Sequence, residues 1–319
     1  MNLQTKISLE KTDHQIGYQS QLLLLGSCFA ERLGSKFEHY KFQSLKNPFG
    51  ILFHPLAIEN LISRAVRKET YTEQDIFFLN ERWHCYDAHS DLSDTFPEKL
   101  LQRLREGLER TDEQIRKASH VFITLGTAWA YRNKESNHVV ANCHKVPQRQ
   151  FSKELLPVGA LVESLQKSIE SIQSVNERAQ VIFTVSPVRH LKDGFVENQR
   201  SKAHLITAVH QTLNCKPHTS YFPSYEIMMD ELRDYRFYEL DMVHPNQLAI
   251  DYIWEKFKPT FISDGALATM ATVEAIQKGL QHRPFNAQAA KHQEFLKALG
   301  ERITYLQTEY PFIVFNIES

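Results

Sequence analysis

The sequence contains few cysteines and lacks the spacings that bind zinc or build a disulfide scaffold. Its four cysteines, Cys28, Cys85, Cys143 and Cys215, stand far apart, and no two form a C-x-x-C pair. This separation argues against a structural zinc site and against a disulfide-rich secreted domain. The 15 histidines form no H-E-x-x-H or H-x-H pattern. We therefore expect neither a metal nor another cofactor.

Long hydrophobic runs and an excess of charge are also missing. The apolar run near the N-terminus covers only residues 22–25, and no segment approaches the roughly 20 apolar residues of a membrane helix. The run is also too short for a signal peptide, so we expect a cytoplasmic protein without a membrane partner. Lys and Arg number 37 against 38 Asp and Glu, a balance that argues against nucleic acid as the main ligand.

What the sequence does contain is an alternation of apolar and amphipathic segments. Five segments are predicted strands: QLLLLG, KFQSL, HVFITLG, AQVIFTVSP and SYFPSYEIM. Amphipathic segments with helical periodicity lie between them. Within residues 69–97, apolar and polar residues alternate as in an edge hairpin or an insertion. This order predicts an α/β fold, a three-layer α/β/α sandwich with a central parallel sheet of about five strands.

The pattern changes after Pro259. Two helical segments follow without an intervening strand, DGALATMATVEAIQKGL and NAQAAKHQEFLKALGERITYLQTEY. We therefore predict an α/β domain over residues 1–259 and a C-terminal helical extension over residues 260–319. If the protein forms a homo-oligomer, we expect these helices to carry the interface.

A candidate catalytic pair precedes the last predicted helix of the α/β domain, in the segment DMVHPN. Asp241 and His244 lie three residues apart, so the carboxylate can reach Nδ1 of the imidazole and leave Nε2 to act as a base. A hydroxyl or thiol needs such a base to become a nucleophile. The pair therefore favours nucleophilic catalysis at the carboxyl ends of the strands, where open parallel sheets bind ligands.

Two adjacent residues, Ser27 and Cys28, are candidates for the nucleophile after the first strand. Cys28 would lie at a helix N-terminus beside a histidine, and both features lower the pKa of a thiol. Ser27 precedes the helix and resembles an N-cap, whose hydroxyl accepts a helix N–H. Burial of Cys28 as a small apolar side chain is the alternative. Cys28, Ser27 and neither residue remain three open interpretations.

Several segments resemble a known family. The strand ending in Gly-x-Ser/Cys, the Asn-x-x-Gly loop and the late D-x-x-H-P-N segment resemble the blocks of the SGNH, or GDSL, hydrolases. The resemblance is closer to the bacterial GSCFA family, a branch of that superfamily, in the segments GSCFAERLG, NPFGILFHP, LGTAWAY, VVANCHKVP, SPVRHLKDG, ENQRSKA and FPSYEIMMDELRDYRFY. It implies an α/β/α sandwich and ester or acyl chemistry. Alignment of Gly26 with the glycine of Gly-Asp-Ser puts Cys28 at the nucleophile position.

The oxyanion formed by attack on a carbonyl needs preorganised donors. We expect the backbone amides after Gly26 and at Gly50 to supply them, with a turn that requires glycine as the alternative for Gly50. The superfamily's third block ends in Gly-x-Asn, whereas this chain has Gly126-Thr127-Ala128. Thr127 or Asn142 would replace the missing asparagine.

Three further polar residues have a binding role and a structural role as alternatives. Asn142 and His144 could bind substrate or stabilise their own loop. Arg189 could clamp a carboxylate or phosphate bidentately, or form a salt bridge with Asp193 or Glu197.

These features favour a hydrolase acting on an ester of a small molecule or carbohydrate. An O-acyltransferase would use the same residues and pass the acyl group to an alcohol. The missing asparagine favours a third interpretation, a non-catalytic binding or assembly protein on a degenerate fold of this type.

Overall fold

The computed structural model describes residues 4–283, 285–286 and 288–315. The strands are β1 (Gln21–Gly26), β2 (Gln43–Lys46), β3 (Ile76–Leu79), β4 (Arg82–Cys85), β5 (His120–Leu125), β6 (Trp129–Asn133), β7 (Val139–Val140), β8 (Phe151–Leu155), β9 (Gln180–Val185) and β10 (Thr219–Phe222). The helices are α1 (Cys28–His39), α2 (Pro55–Arg67), α3 (Pro97–Lys117), α4 (Val158–Val175), α5 (Phe195–Leu213), α6 (Ser224–Glu226), α7 (Gln247–Phe261), α8 (Asp264–Gln281) and α9 (Ala290–Glu309).

The central sheet has the order β2-β1-β5-β9-β10, and every neighbouring pair in it is parallel. Alternate residues of β1 serve opposite faces: Leu23 and Leu25 pack with α2 to α5, while Leu22 and Leu24 pack with α1 and α7. The expected three-layer sandwich with a five-stranded parallel sheet is confirmed. The strand order reverses between β1 and β5, which is where doubly wound sheets open a ligand crevice.

Two antiparallel insertions lie outside the central sheet. β3 and β4 form a hairpin within residues 69–97, one of the two arrangements that the alternation predicts. β6, β7 and β8 form a three-stranded sheet in the order β7-β6-β8. The sequence does not predict this second sheet, which follows directly from the end of β5.

The fifth predicted strand is shorter than its apolar sequence indicates. β10 ends at Phe222, and residues 224–231 continue as α6 and a wider helical turn, Ile227–Glu231. Pro223 has no N–H to donate to a strand ladder, and the hydroxyl of Ser224 donates instead to the carbonyl of Val185 at 2.8 Å. The prediction of a strand through SYFPSYEIM is therefore wrong beyond Phe222.

The C-terminal helices pack against the α1 and α7 face of the sandwich. Met270 and Val273 of α8 and Ile303 of α9 belong to the same buried cluster as Trp254 of α7. α7 continues to Phe261, so the division after residue 259 stays a prediction. None of the helices in the described ranges has the length and apolar composition needed to cross a membrane.

Candidate active site

A sharp turn after β1 leads from the central sheet into α1 and contains the two candidate nucleophiles. Gly26 has φ +128°, and a Cβ there would lie 2.1 Å from the carbonyl oxygen of Thr124 on the neighbouring strand. Glycine is therefore required at this position. The N–H of Gly26 donates to Oδ1 of Asn47 at 2.8 Å, so the turn is held by the segment after β2. The chain then enters α1 within two residues.

The turn gives Ser27 and Cys28 different surroundings. Ser27 is fully buried and is the N-cap of α1, where its Oγ accepts from the N–H of Phe29 at 3.4 Å. Cys28 is the first residue of the helix and is partly exposed. Its side chain lines a cavity of about 330 Å³. The thiol, not the hydroxyl, is therefore the group that a ligand in this cavity would meet.

The same cavity contains the predicted catalytic pair. Its polar walls are Cys28, Arg32, Glu239, Asp241 and His244, and its apolar walls are Phe29, Val188, Pro245 and Ile250. The cavity thus joins the start of α1 to the segment before α7. It combines a nucleophile candidate and a base candidate with apolar surface that can accept an acyl chain.

The loop before α7 orients the imidazole of His244. Nδ1 lies 2.6 Å from Oδ2 of Asp241, the contact that the three-residue spacing predicts. Oδ1 of Asp241 accepts from the N–H groups of His244 at 3.0 Å and Val243 at 2.8 Å. These hydrogen bonds, from the backbone and ring of His244 and the backbone of Val243, lower the pKa of Asp241 to about 2. Asn246 then caps α7 through the N–H of Ala249.

Arg189 holds this loop instead of facing the cavity. Its Nη2 donates to the carbonyl of Met242, and its guanidinium lies 4.0 Å from the ring centre of Tyr238. Asp193 and Glu197, the partners considered from the sequence, pair with other cations. The structure therefore gives Arg189 a position from which it supports the Asp241–His244 segment, and neither of the two expected contacts is seen.

A buried lysine lies beside the nucleophile candidate, and the sequence analysis did not identify it. Lys202 is 1% exposed, and its Nζ donates to the carbonyls of Gly126 at 2.7 Å and Ser186 at 2.8 Å. These carbonyls terminate β5 and β9. Burial lowers the pKa of Lys202 to about 7, while the negative charges of Cys28 and Glu226 oppose that shift. Burial raises the pKa of the Cys28 thiol above its ordinary value, in contrast to the lowering expected from the sequence, and the charge of Lys202 is the largest opposing cause.

The sequence did carry a signal for this lysine. Lys202 stands on the face of α5 that also contains Asn198, Ser201, Leu205 and Val209, all of them buried. The spacing of three and four residues places them on one side of a helix. A lysine on such a face is expected to have a specific partner, since an unpaired buried charge is costly.

Two residues considered for the oxyanion site have other contacts. The N–H of Gly50 donates to the carbonyl of Asn47 at 2.8 Å, and Gly50 has φ +71°. It is thus the turn glycine of the alternative interpretation, and its amide is not free for an oxyanion. The hydroxyl of Thr127 bonds Oγ of Ser201 at 2.9 Å and accepts from the N–H of Trp129 at 3.0 Å. Thr127 lines a second cavity, not that of Cys28.

Asn142 and His144 lie near the antiparallel insertions. Oδ1 of Asn142 accepts from the N–H of His144 at 2.9 Å, and Nε2 of His144 bonds the carbonyl of Cys85 at 2.6 Å. Burial lowers the pKa of His144 to about 4 and keeps the ring neutral. The loop-stabilising alternative therefore describes His144, whereas Asn142 also lines the second cavity.

The comparison with known families comes from two matches. The model of the GSCFA family matches residues 21–257, which include every residue of the Cys28 cavity. The chain belongs to the GSCFA family. A second model, described as the C-terminal domain of GSCFA domain proteins, matches residues 273–319. A search of curated proteins found no match.

The chemistry available to this GSCFA protein follows from the groups in the cavity. A thiol at a helix N-terminus shares the cavity with an imidazole fixed by a carboxylate, and the buried amine of Lys202 interacts with the thiol from outside the lining. Such a set can ionise the thiol and return a proton to a leaving group. Within the described residues, no three His, Cys, Asp or Glu side chains are grouped to hold a metal ion.

Proposed function

We propose that the protein is an acyl hydrolase of the SGNH type, which cleaves an ester of a small molecule or carbohydrate through the Cys28 thiolate. One observation carries the proposal: Cys28 and His244 line the same cavity, whereas Ser27 is the buried N-cap of α1 and does not line it. The sheet order supports the location, because the crevice of a doubly wound sheet opens beside β1 and β5.

In the proposed reaction, Nε2 of His244 takes the proton of the thiol and Sγ of Cys28 attacks the ester carbonyl carbon. The tetrahedral oxyanion is stabilised by N–H groups at the start of α1, whose dipole favours negative charge. The carbon–oxygen bond to the alcohol then breaks, and the imidazolium returns its proton to the departing oxygen. Water attacks the resulting thioester, His244 takes a proton from it, and the carboxylic acid leaves the regenerated thiolate.

In this mechanism the charge of Lys202 stabilises the thiolate of Cys28. Its ammonium donates to two carbonyl oxygens and interacts with the charges of Cys28 and Glu226, so an ionised Cys28 is a natural counter-charge. An opposite charge nearby stabilises the ionised form of an acid. Asp241 stabilises the imidazolium and fixes its tautomer.

A comparison of variants tests the proposal. Cys28→Ala and His244→Gln are expected to reduce hydrolysis of fluorogenic acetyl and butyryl esters by about 100-fold or more. Ser27→Ala removes a helix cap worth about 1 kcal/mol of stability and should retain turnover by the folded protein. Cys215→Ala is the matched thiol control, since Cys215 is exposed and lies outside the cavity.

Two results would contradict the proposal. The first is loss of activity in Ser27→Ala with full activity in Cys28→Ala, which would reverse the roles of the two residues. The second is wild-type protein that shows neither turnover nor iodoacetamide labelling at Cys28. If, in addition, a bound partner were lost on truncation after residue 260, the binding or assembly interpretation would replace the enzyme.

A second cavity next to the site favours acyl transfer as the second candidate function. It has a volume of about 560 Å³ and is lined by His190. Burial and the charges of Lys202 and His244 lower the pKa of His190, so this residue lies near both of them. A bound alcohol there could discharge the thioester in place of water. Transfer predicts acylated sugar when sugars are added to the ester assay, and the formation of free acid alone would exclude it for those sugars.

A further inference from the structure

The second cavity lies at the carboxyl edge of the central sheet, beside the site already described. Its walls come from the segment before α2, from the segment after β5, from the β6–β8 sheet with its loops, and from the loop after β9. The volume of about 560 Å³ falls in the range of roughly 300–1,000 Å³ that is typical of small-molecule sites. It is large enough to hold a substrate portion that the Cys28 cavity does not accommodate.

His190 lines this cavity and lies close enough to Lys202 and His244 for their charges to act on its ring. Its ring packs edge-on against Phe53 with 5.4 Å between centres. A Cβ on Gly126 would lie 3.3 Å from its Nε2. This nitrogen is buried without a hydrogen-bond partner in the part of the chain described. Burial, with the charges of Lys202 and His244, lowers the pKa of His190 to about 3, so the ring stays neutral. It can therefore contact a ligand without adding charge.

The charge of the lining is positive. Three lysines line the cavity, Lys145, Lys153 and Lys192, and the carboxylate in the lining is Asp193, which pairs with Lys153. His54 is fully buried by its surroundings, and that burial lowers its pKa and keeps it neutral. Lys145 and Lys192 thus contribute two cations that the Asp193 carboxylate does not neutralise, which favours an anionic ligand.

Aromatic side chains provide the other part of the lining. Trp129 and Tyr131 stand side by side on β6, with Nζ of Lys153 at 4.8 Å and 5.6 Å from their ring centres. Phe53 and Phe151 add apolar surface. Ring faces next to cations and the amide of Asn142 suit a ligand that has both C–H faces and polar substituents.

We propose that the second cavity binds the alcohol portion of the substrate, and that this portion is a sugar ring carrying a carboxylate or phosphate group. The proposal rests on the proposed function, because it assigns the cavity to the leaving alcohol or to the acceptor of the same reaction. The acyl group occupies the Cys28 cavity, and the ester oxygen lies between the two, next to His190.

Cys143 provides a test that needs no turnover. It lines the cavity and is partly exposed, whereas exposed Cys215 lies after α5 and is not part of the lining. Iodoacetamide alkylation of the full-length protein, followed by peptide mapping, reports the two thiols separately. The probes are glucose 6-phosphate, glucuronate, glucose and inorganic phosphate. We carry out the reaction at alkaline pH because burial raises the pKa of Cys143 to about 11.

Glucose 6-phosphate and glucuronate are expected to slow alkylation of Cys143 and to leave Cys215 unchanged. Lys192→Gln should weaken this protection about tenfold, the effect of losing one charged hydrogen bond. Lys117→Gln is the matched control, since Lys117 ends α3 at the opposite edge of the sheet, just before β5. Tryptophan fluorescence gives an independent measurement, and its response to the probes should disappear in Trp129→Phe.

Each alternative outcome has a defined meaning. Equal protection by glucose would overturn the anionic part of the proposal, and equal protection by inorganic phosphate would overturn the sugar part. Absence of both protection and a fluorescence change with every probe would overturn the site itself. Because none of these measurements requires catalysis, a failure of the site is distinguishable from a failure of ester hydrolysis in the variant assay.

Discussion

Replacement of Lys202 by methionine tests the electrostatic part of the proposed mechanism. Methionine keeps most of the length and apolar character of the side chain and removes the amine. In the native protein this amine is buried and donates to the carbonyls of Gly126 and Ser186. Lys202 is also the largest cause that lowers the pKa of Cys28 against the effect of burial. Lys202→Met should therefore raise the thiol pKa further.

The magnitude follows from the size of such charge effects. A neighbouring opposite charge shifts the pKa of an acid by about 1–3 units. Below the pKa, each unit reduces the thiolate fraction about tenfold. At neutral pH we therefore expect Cys28 of Lys202→Met to react with iodoacetamide at least about tenfold more slowly than in the native protein. Ester hydrolysis should decline in parallel.

The variant should also change the pH dependence of stability. The pKa of Lys202 is about 7 in the folded protein, against an ordinary 10.5. Between these values the unfolded chain binds more protons than the folded one, so the free energy of unfolding rises with pH. Lys202→Met removes this rise. The loss of a donor to two carbonyls lowers stability by about 1–3 kcal/mol per unsatisfied oxygen, which denaturant unfolding measures separately.

The assay is the alkylation rate of Cys28 across a pH series, read by peptide mapping with Cys215 as the internal control. Lys167→Met is the matched substitution, because Lys167 forms an ion pair with Glu163 outside the cavity. An unchanged pH midpoint for Cys28 in a folded Lys202→Met protein would refute the reasoning. Lys202 would then be a structural link between strand ends.

Three further substitutions probe other parts of the site. Gly26→Ala should lower the free energy of unfolding by at least about 3 kcal/mol in denaturant titration, because φ is +128° and the new Cβ would lie 2.1 Å from the carbonyl oxygen of Thr124. Gly159→Ala is the control and should cost nothing, since a Cβ there meets open space. Arg189→Lys should lower kcat through the Met242 loop but leave the pH midpoint of thiol alkylation unchanged, and a shifted midpoint would contradict this. Burial lowers the pKa of His190 to about 3, so protonation of this ring destabilises the folded protein as the pH falls below 6.5. Between neutral pH and pH 4, the free energy of unfolding of His190→Gln should therefore fall by about 3 kcal/mol less than that of the native protein. Equal acid sensitivity would argue against a buried neutral ring.

Local sequence patterns predicted the parts of the structure that depend on local order. The apolar run before Gly26 predicts β1, and the spacing of Phe29, Leu33 and Phe37 predicts α1. The contact between Asp241 and His244 also depends only on a separation of three residues. Periodicity and short-range geometry are sufficient for such features, because each is formed within one or two turns of chain.

Features that depend on distant segments were not predictable in this way. Nζ of Lys202 finds its acceptors 76 and 16 residues away along the chain. The Cβ of His89 crowds Gly50 from a different turn. The β6–β8 sheet and the cavity it helps to form depend on short strands with mixed polarity, which carry a weak periodic signal.

Ser27 and Cys28 are adjacent, but their positions at the start of α1 give them different roles. At the N-cap, an extended backbone with φ −71° and ψ 176° directs the Ser27 hydroxyl back to the N–H of Phe29. The next residue is helical, so its side chain leaves the axis, and Cys28 reaches the cavity. The Ser27 hydroxyl accepts a hydrogen bond from the helix backbone. The ionised form of the Cys28 thiol is instead stabilised by the helix dipole and by the charge of Lys202. Under the proposed function, Ser27 thus builds the helix end at which Cys28 is activated, and Cys28 carries the reaction.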